Sequence, residues 1–166
     1  MQEESIHNEG ESGEWKPLPG GEGPSRVMGF DVGDRRIGVA VSDPLGYTAQ
    51  PLMTLHRGRK RDDLKSIGRL LRRHGVEEAV VGNPLYMSGD VSPQALKAQA
   101  FAEDLRAEFG VQVHLWDERL TTTQAHRHLD EAGGHGGRQE RKGIIDQVAA
   151  VLILQSFLDA RSRGGV

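Results

Sequence analysis

The stretch FDVGDRRIGVAVS, residues 30–42, contains two short apolar segments separated by a polar turn at residues 33–36. Apolar side chains alternate with small or polar ones along both segments, which is the pattern of half-buried β-strands. We therefore predict a β-hairpin here. One carboxylate, Asp31, falls within the first strand, on the same face as Gly29 and Gly33.

Two further acidic residues lie in segments whose pattern predicts burial. Glu118 follows the apolar run of VHLWDERLTTTQA, and Asp146 lies within GIIDQVAAVLILQSF. Burying an unpaired carboxylate costs several kcal/mol, so such a group is normally protonated, paired with a cation or bound to a metal. Three carboxylates that converge on one point would indicate a metal-dependent active site.

The composition predicts one folded domain with a polar extension. The chain has 166 residues with 36% hydrophobic content, which suits a single core. Residues 1–25 carry six glutamates and one lysine, so we expect a disordered acidic tail there, a single domain at residues 26–160 and a flexible C-terminus at residues 161–166.

Charge and cysteine usage limit the classes of function. The net charge is −3, but without the acidic tail the remainder is about +2, which tolerates a polyanionic partner without requiring one. The chain contains no cysteine, so disulfides and thiolate zinc sites are excluded. No stretch approaches the roughly 18 apolar residues of a membrane span. We expect a soluble, cytoplasmic protein that does not bind membranes and acts as a monomer or homodimer.

The order of the predicted elements favours an α/β fold. A third strand near residues 48–57 follows the hairpin, and a helix capped by Asp62 or Asp63 ends at Gly75. A strand at residues 77–82 and a helix from Ser92 through Phe109, with Leu96, Phe101 and Leu105 facing the core, come next. Then come a strand at residues 111–118, a short helix from Thr121 or Thr122 to Gly133, a flexible loop at residues 133–142 and a helix at about residues 143–159. This order predicts a mixed five-stranded sheet, three antiparallel strands extended by parallel strands, with helices on both faces.

Each of the three acidic residues also has a plain structural alternative. Asp31 could cap the hairpin turn. Glu118 shares a strand face with Gln112, His114 and Trp116, but it could instead start a helix with Asp117, and Asp117 could replace it at the site. Asp146 lies on the buried stripe of its helix, although a solvated acid stabilised by the helix dipole is possible.

Oxygen ligands without cysteine or a histidine pair favour Mg²⁺ or Mn²⁺. Two such ions, sharing Asp31 as a bridging ligand, would suit phosphoryl chemistry in the two-metal scheme of nucleases.

Four segments together carry a family resemblance: FDVGDRRIGVAVSD, VVGNP, DERLTTTQA and IIDQVAAVLILQSFL. In this order they resemble the YqgF/RuvX family of pre-16S rRNA nucleases or Holliday junction resolvases. The resemblance implies an RNase H-like fold, cytoplasmic nuclease activity with Mg²⁺ or Mn²⁺, and catalytic, metal-binding positions that match Asp31, Glu118 and Asp146. One segment departs from the family, because its usual Gly-Leu-Pro and Asp-Gly read here as Gly82-Asn83-Pro84 and Ser88-Gly89.

Several polar residues near these positions are candidates for contact with nucleic acid. They are Arg35, Arg36, Asn83, Arg119 and Thr121. Arginines there would bind phosphates and position a nucleic acid without reading its sequence, whereas Thr121 could simply cap a helix. His126 and His128 are too splayed on a helix to form a zinc pair. His135 could move protons or have no role.

Three functions remain open from the sequence. The first is a metal-dependent nuclease acting on pre-16S rRNA, with a resolvase acting on branched DNA as a second choice of substrate. The second is a non-catalytic nucleic-acid-binding module, which the three acidic residues disfavour. The third is a sugar kinase of the actin superfamily, which would need a second lobe and a much longer chain.

Overall fold

The computed structural model describes residues 26–121 and 138–164. Five strands and three helices make up this part, together with a 3₁₀ turn at Glu118–Leu120. The strands are β1 (Arg26–Val32), β2 (Arg36–Ser42), β3 (Ala49–His56), β4 (Val76–Asn83) and β5 (Gln112–Asp117). The helices are α1 (Lys60–Arg73), α2 (Pro93–Phe109) and α3 (Arg138–Ser162).

The strands form one sheet in the order β3-β2-β1-β4-β5. β1 and β2 form the antiparallel hairpin, and β3 pairs antiparallel with β2. β4 pairs parallel with β1, and β5 pairs parallel with β4, so two crossover connections extend the hairpin. The predicted mixed five-stranded sheet is therefore confirmed.

Helices cover both faces of the sheet. α1 and α2 pack on the face that carries the larger hydrophobic core, including Met28, Phe30 and Ile37. α3 packs on the other face, against Val27, Ala40 and Val80. Alternate residues of β1 face opposite layers because side chains in a strand have a period of two, and this places Asp31 on the α3 face.

Local sequence signals explain α2 well. The Ser92 hydroxyl accepts a hydrogen bond from the Ala95 amide at 3.0 Å, Pro93 occupies the first helical position, and Gly110 ends the helix with φ of 64°. Phe101 and Leu105 are buried as predicted. The prediction for Leu96 is wrong, since its side chain is 60% exposed on the solvent face of α2.

The predicted start of α1 is also wrong. The helix begins at Lys60, so Asp63 lies in its first turn, where the carboxylate accepts a hydrogen bond from the Gly58 amide at 3.0 Å. Asp63 therefore stabilises the chain entering the helix from inside the first turn.

α3 is longer than the sequence suggested at both ends. It begins at Arg138, so residues 138–142 of the expected loop are helical. It continues to Ser162, and the Arg161 guanidinium donates two hydrogen bonds of 2.6 Å to Glu78 on β4. The helix thus ends two residues beyond the predicted domain boundary at residue 160.

The expectation that no segment is apolar enough to cross a membrane needs correction. Residues Lys142–Ser162 meet that criterion by length and composition. The core helix of a soluble protein has the same properties, and α3 buries Ala150, Ile153, Leu154 and Phe157 against the sheet. Its apolar character is explained by this packing.

Candidate active site

Asp31 lies between two glycines on the neighbouring strands. In the antiparallel pair of β1 and β2, Asp31 is opposite Gly38. On the other side, Phe30 of β1 pairs with Val81 of β4, so Asp31 and Gly82 are the next residues of the two parallel strands. The Asp31 side chain is 4% exposed. Both neighbouring positions on its face therefore lack a side chain.

Gly38 allows α3 to approach the sheet at Asp146. A Cβ atom added to Gly38 would lie 1.9 Å from the backbone carbonyl oxygen of Asp146 and 3.0 Å from its Cβ. Only glycine is compatible with this contact, because the nearest atom belongs to backbone. Asp146 lies more than two turns beyond Arg138, the first helical residue, so the helix-terminal position considered from sequence is wrong.

Gly82 makes the corresponding space for Glu118. A Cβ atom added to Gly82 would lie 2.8 Å from Glu118 Oε1 and 2.6 Å from Ile153 Cδ1. Glu118 is 1% exposed. The glycines on either side of Asp31 thus each contact one of the other two acidic residues, and all three acids belong to the α3 face of the sheet.

The environments of Asp117 and Glu118 differ sharply. β5 ends at Asp117, so Glu118 lies in the 3₁₀ turn and not on the strand as predicted. The Asp117 carboxylate accepts hydrogen bonds from the Arg119 backbone amide at 2.9 Å and from the guanidinium at 2.7 Å and 3.0 Å. Hydrogen bonding from Arg119 lowers the pKa of Asp117. Asp117 therefore forms an ion pair with Arg119, whereas the Glu118 side chain lies against Gly82.

Glu118 is the acid whose ionisation is most strongly affected by the fold. Burial, followed by repulsion from the Asp117 carboxylate, raises the pKa of Glu118 to about 7. A charged Glu118 is therefore costly at this position. A nearby cation would offset that cost, since opposite charge favours the ionised form of a carboxyl group.

Arg36 compensates the charge of Asp146. Its Nε donates a hydrogen bond of 2.7 Å to Asp146 Oδ2, and each side chain is 20% exposed. The pair joins the first residue of β2 to α3 across the hairpin. Arg36 was predicted to contact nucleic acid, and the structure places it on a candidate catalytic acid.

The other candidate contacts to nucleic acid are distributed along the same edge. Arg35 is exposed in the hairpin turn. Asn83, at the end of β4, accepts a hydrogen bond from the Gln99 side chain at 3.3 Å and pairs in register with Asp117. Thr121 Oγ1 donates to the Glu118 carbonyl oxygen at 2.9 Å. Thr121 therefore closes the 3₁₀ turn, whereas the helix that it was predicted to start lies outside the described residues.

Arg119 has a structural contact that the sequence did not suggest. Besides Asp117, it donates through Nη1 to the Met87 carbonyl oxygen at 3.3 Å. It also packs against Gly89, whose φ is 92°. The guanidinium thus ties the loop at residues 84–92 to the residue after Glu118.

The donor set fits a hard divalent cation, although the carboxylates are not gathered around one point. Within residues 26–121 and 142–164, no three His, Cys, Asp or Glu side chains are arranged to hold one ion. The oxygens of Asp31, Glu118 and Asp146 nevertheless share one face, and they are the ligand type that Mg²⁺ or Mn²⁺ prefers. The family resemblance of the sequence implies the same two ions.

Several sequence predictions concern residues outside the described part. They are the acidic tail at residues 1–25, the short helix ending at Gly133, and His126, His128 and His135.

Sequence reasoning missed Gly38 and Gly82, because the pairing of strands distant in sequence decides which residues flank Asp31. A glycine in each strand was the available signal, yet local patterning drew attention to Gly29 and Gly33, which lie along β1 itself.

The fold is that of RNase H-like resolvases. The structure of Thermus thermophilus RuvC in complex with a Holliday junction substrate matches 84% of this chain and 97% of that chain. The TM-score is 0.51 at 17% sequence identity, a likeness that concerns the fold alone.

The family model described as "RuvX: Holliday junction resolvase" matches residues 25–160, so the chain belongs to the RuvX family. A Moorella thermoacetica protein named "Putative pre-16S rRNA nuclease" is 52% identical over 85% of this chain and 99% of its own length. A Clostridium novyi protein of the same name is 46% identical over 81% of this chain and 98% of its own. The protein is a nuclease, a hydrolase of phosphodiester bonds.

Proposed function

We propose that this chain is a divalent-metal-dependent endonuclease that processes the 5′ end of pre-16S rRNA in the cytoplasm. The observation that carries the proposal is the placement of Asp31, Glu118 and Asp146 on one sheet face, beside glycines that let α3 and Glu118 lie close to Asp31. The names of the relatives at 52% and 46% identity support the choice of RNA.

The three carboxylates would be the ligands for two Mg²⁺ or Mn²⁺ ions. When bound, such ions activate the attacking water and stabilise the leaving oxygen of a phosphodiester. Burial raises the pKa of Glu118 to about 7, so near neutral pH binding of a cation would readily displace its proton. Arg36 neutralises Asp146 in the free protein and would turn to a substrate phosphate when a cation takes its place.

Arg35 and Arg36 lie at the hairpin turn, next to the end of β1 that carries Asp31. Their guanidinium groups are the proposed phosphate contacts, which hold the backbone without selecting a base. Asn83 and Thr121 lie on the opposite side of Asp31 and are proposed to line the path of the substrate.

Cleavage of branched DNA is the second candidate function. The description of the matching family model favours it. RNA and DNA differ at the 2′-hydroxyl, which a protein can read by direct contact. A direct comparison of substrates therefore decides between the two functions.

The test uses the purified chain with Mg²⁺ or Mn²⁺ on a 5′-extended 16S rRNA precursor and on a four-way DNA junction. We expect cleavage of the precursor near its mature 5′ end. Asp31→Asn and Asp146→Asn should each lower the rate by at least about 100-fold, since even outer-shell changes at metal sites cost 10–100-fold.

The outcomes separate the alternatives. Cleavage of the junction alone would favour the resolvase function. Binding without metal-dependent cleavage of either substrate would indicate a non-catalytic module and refute the enzyme proposal for these substrates. Full activity in both variants would refute the assignment of the site but leave the nuclease function intact.

A further inference from the structure

The loop at residues 84–92, which we call the β4–α2 loop, carries an exposed aromatic side chain and contacts Arg119, the residue after Glu118. Tyr86 is 54% exposed and Met87 is 77% exposed. An exposed aromatic ring beside a polyanion-binding site is a ready surface for stacking of a nucleobase. The chain has only one other tyrosine, Tyr47.

The β4–α2 loop is fixed by its own hydrogen bonds. The Tyr86 amide donates to the Asp90 carbonyl oxygen at 2.9 Å, and the Gly89 amide donates to the Tyr86 carbonyl oxygen at 2.8 Å. At the end of the loop, the Ser92 hydroxyl donates to the Pro84 carbonyl oxygen at 2.5 Å. Tyr86 is therefore held on a defined turn, which reduces the entropy lost when its ring binds a ligand.

The loop is also hydrogen-bonded to the end of the sheet at which β4 and β5 finish, close to Glu118. It follows Asn83, the neighbour of Gly82, whose missing side chain makes room for Glu118. Arg119, the residue after Glu118, donates to the Met87 carbonyl oxygen at 3.3 Å. Two chain segments that meet at Glu118 thus set the position of Tyr86.

We propose that Tyr86 stacks on an unpaired nucleobase of the RNA next to the cleaved phosphate, with the Met87 thioether beside it. This proposal rests on the proposed function and adds a specificity to it, namely preference for a single-stranded nucleotide. A base within a duplex is covered by its neighbours, so a ring at the protein surface gains most from an unstacked base. Tyr86 contacts the substrate without taking part in the chemical step.

The test compares Tyr86→Ala with Tyr86→Phe, which keeps the ring. Tyr47→Ala is the matched control, because Tyr47 is also well exposed, at 67%. It lies in the β2–β3 loop, at the end of the sheet opposite to the β1–β2 hairpin turn. The probe is a short RNA from the 5′ precursor region with 2-aminopurine in its unpaired segment, alone or annealed to a complementary strand. Binding is measured in the Asp31→Asn background, and cleavage in the wild-type background.

We expect Tyr86→Ala to weaken binding of the unpaired RNA about tenfold, the typical contribution of one stacked base. It should also abolish the protein-dependent change in 2-aminopurine fluorescence. Stacking acts equally on bound substrate and transition state, so KM should rise while kcat stays constant. Tyr86→Phe, Tyr47→Ala and the annealed RNA should show no such change.

Unchanged binding in Tyr86→Ala, or an equal loss on the annealed RNA, would overturn the stacking proposal. So would an equal loss in Tyr86→Phe, which would indicate a role for the hydroxyl group instead of the ring. Failure of the proposed function has a different signature: the wild-type protein cleaves no RNA, while binding and fluorescence still report on Tyr86. Unchanged melting temperatures of the variants would exclude a folding defect.

Discussion

The two faces of the sheet are built from the same strands but from different kinds of side chain. On the face covered by α1 and α2, β1 contributes Met28, Phe30 and Val32, which are all buried in the larger core. On the α3 face, the same strand contributes Val27, Gly29 and Asp31. Large hydrophobic side chains pack on the first face. The second face carries glycine and aspartate, and α3 lies close to the strands there.

The difference indicates that one face of the sheet mainly stabilises the fold, whereas the other carries the candidate site. Bulky apolar residues on the α1 and α2 face contribute most of the hydrophobic free energy of folding. Glycines on the α3 face, Gly29 and Gly38 among them, give up that contribution but allow the α3 backbone to lie directly against the strands. Carboxylates from the sheet and the helix can share one face only because of this close approach.

The largest effect is expected from adding one methyl group on the narrow face. Gly38→Ala would bring Cβ to 1.9 Å from the Asp146 carbonyl oxygen, so α3 must move. The clash is with the backbone of α3, which cannot rotate away as a flexible side chain could. We therefore expect a loss of about 3 kcal/mol or more in the free energy of unfolding. Urea unfolding measures this change.

Val39→Ala is the matched change on the opposite face, one residue further along β2. Val39 is fully buried, so its truncation should cost about 2 kcal/mol through lost packing. The change should leave cleavage intact, whereas Gly38→Ala should reduce cleavage because it displaces Asp146. Equal losses of activity in the two variants would contradict the assignment of different roles to the two faces.

An intermediate effect is expected from the charge buried on the α3 face. Burial and Asp117 raise the pKa of Glu118 from 4.5 to about 7, so the folded state binds its proton more tightly than the unfolded state does. The resulting stability is fully present below pH 4.5 and is lost as the pH rises to about 7. We expect this loss to reach up to about 3 kcal/mol without divalent cations.

Glu118→Gln should remove the dependence on pH that belongs to this residue. Unfolding free energies of wild type and variant, measured from pH 4 to pH 8, should therefore diverge with rising pH, in favour of the variant. Added Mg²⁺ should reduce the divergence by stabilising ionised Glu118. Parallel curves over this range would show that Glu118 ionises normally.

The smallest effect is expected at the rim of the α3 face. Arg36→Met leaves the partly exposed Asp146 carboxylate without its guanidinium, which should cost about 1 kcal/mol without divalent cations. If a cation can replace the guanidinium, Mg²⁺ should narrow the difference in melting temperature between variant and wild type. Calorimetric titration should also show tighter Mg²⁺ binding to the variant, and unchanged or weaker binding would argue against this exchange.

Local patterns predicted much of the fold. Period-two alternation predicted the hairpin, and Ser92, Pro93 and Gly110 predicted both ends of α2. The order of elements then restricted the sheet to one mixed arrangement. Burial of Asp31 and Glu118 also followed from the pattern of their segments.

Other features depend on contacts that no local pattern contains. Gly38 and Gly82 flank Asp31 only after strand pairing is fixed, and the Arg36–Asp146 pair joins residues 110 positions apart. Leu96 fits the helical period of α2, yet the helix presents that position to solvent. Sequence favoured Glu118 but kept Asp117 as an alternative, because the hydrogen bonds from Arg119 to the Asp117 carboxylate are not visible in the local pattern.

The Arg36–Asp146 separation also determines the order in which the candidate site is assembled during synthesis of the chain. All five strands leave the ribosome before α3 does, because the helix that carries Asp146 follows them in the chain. At 5–20 residues per second, emergence of a segment the length of α3 takes roughly one to five seconds. A nascent chain therefore carries two of the three candidate acids before α3 emerges, and the proposed site is assembled only after Asp146 has left the ribosome.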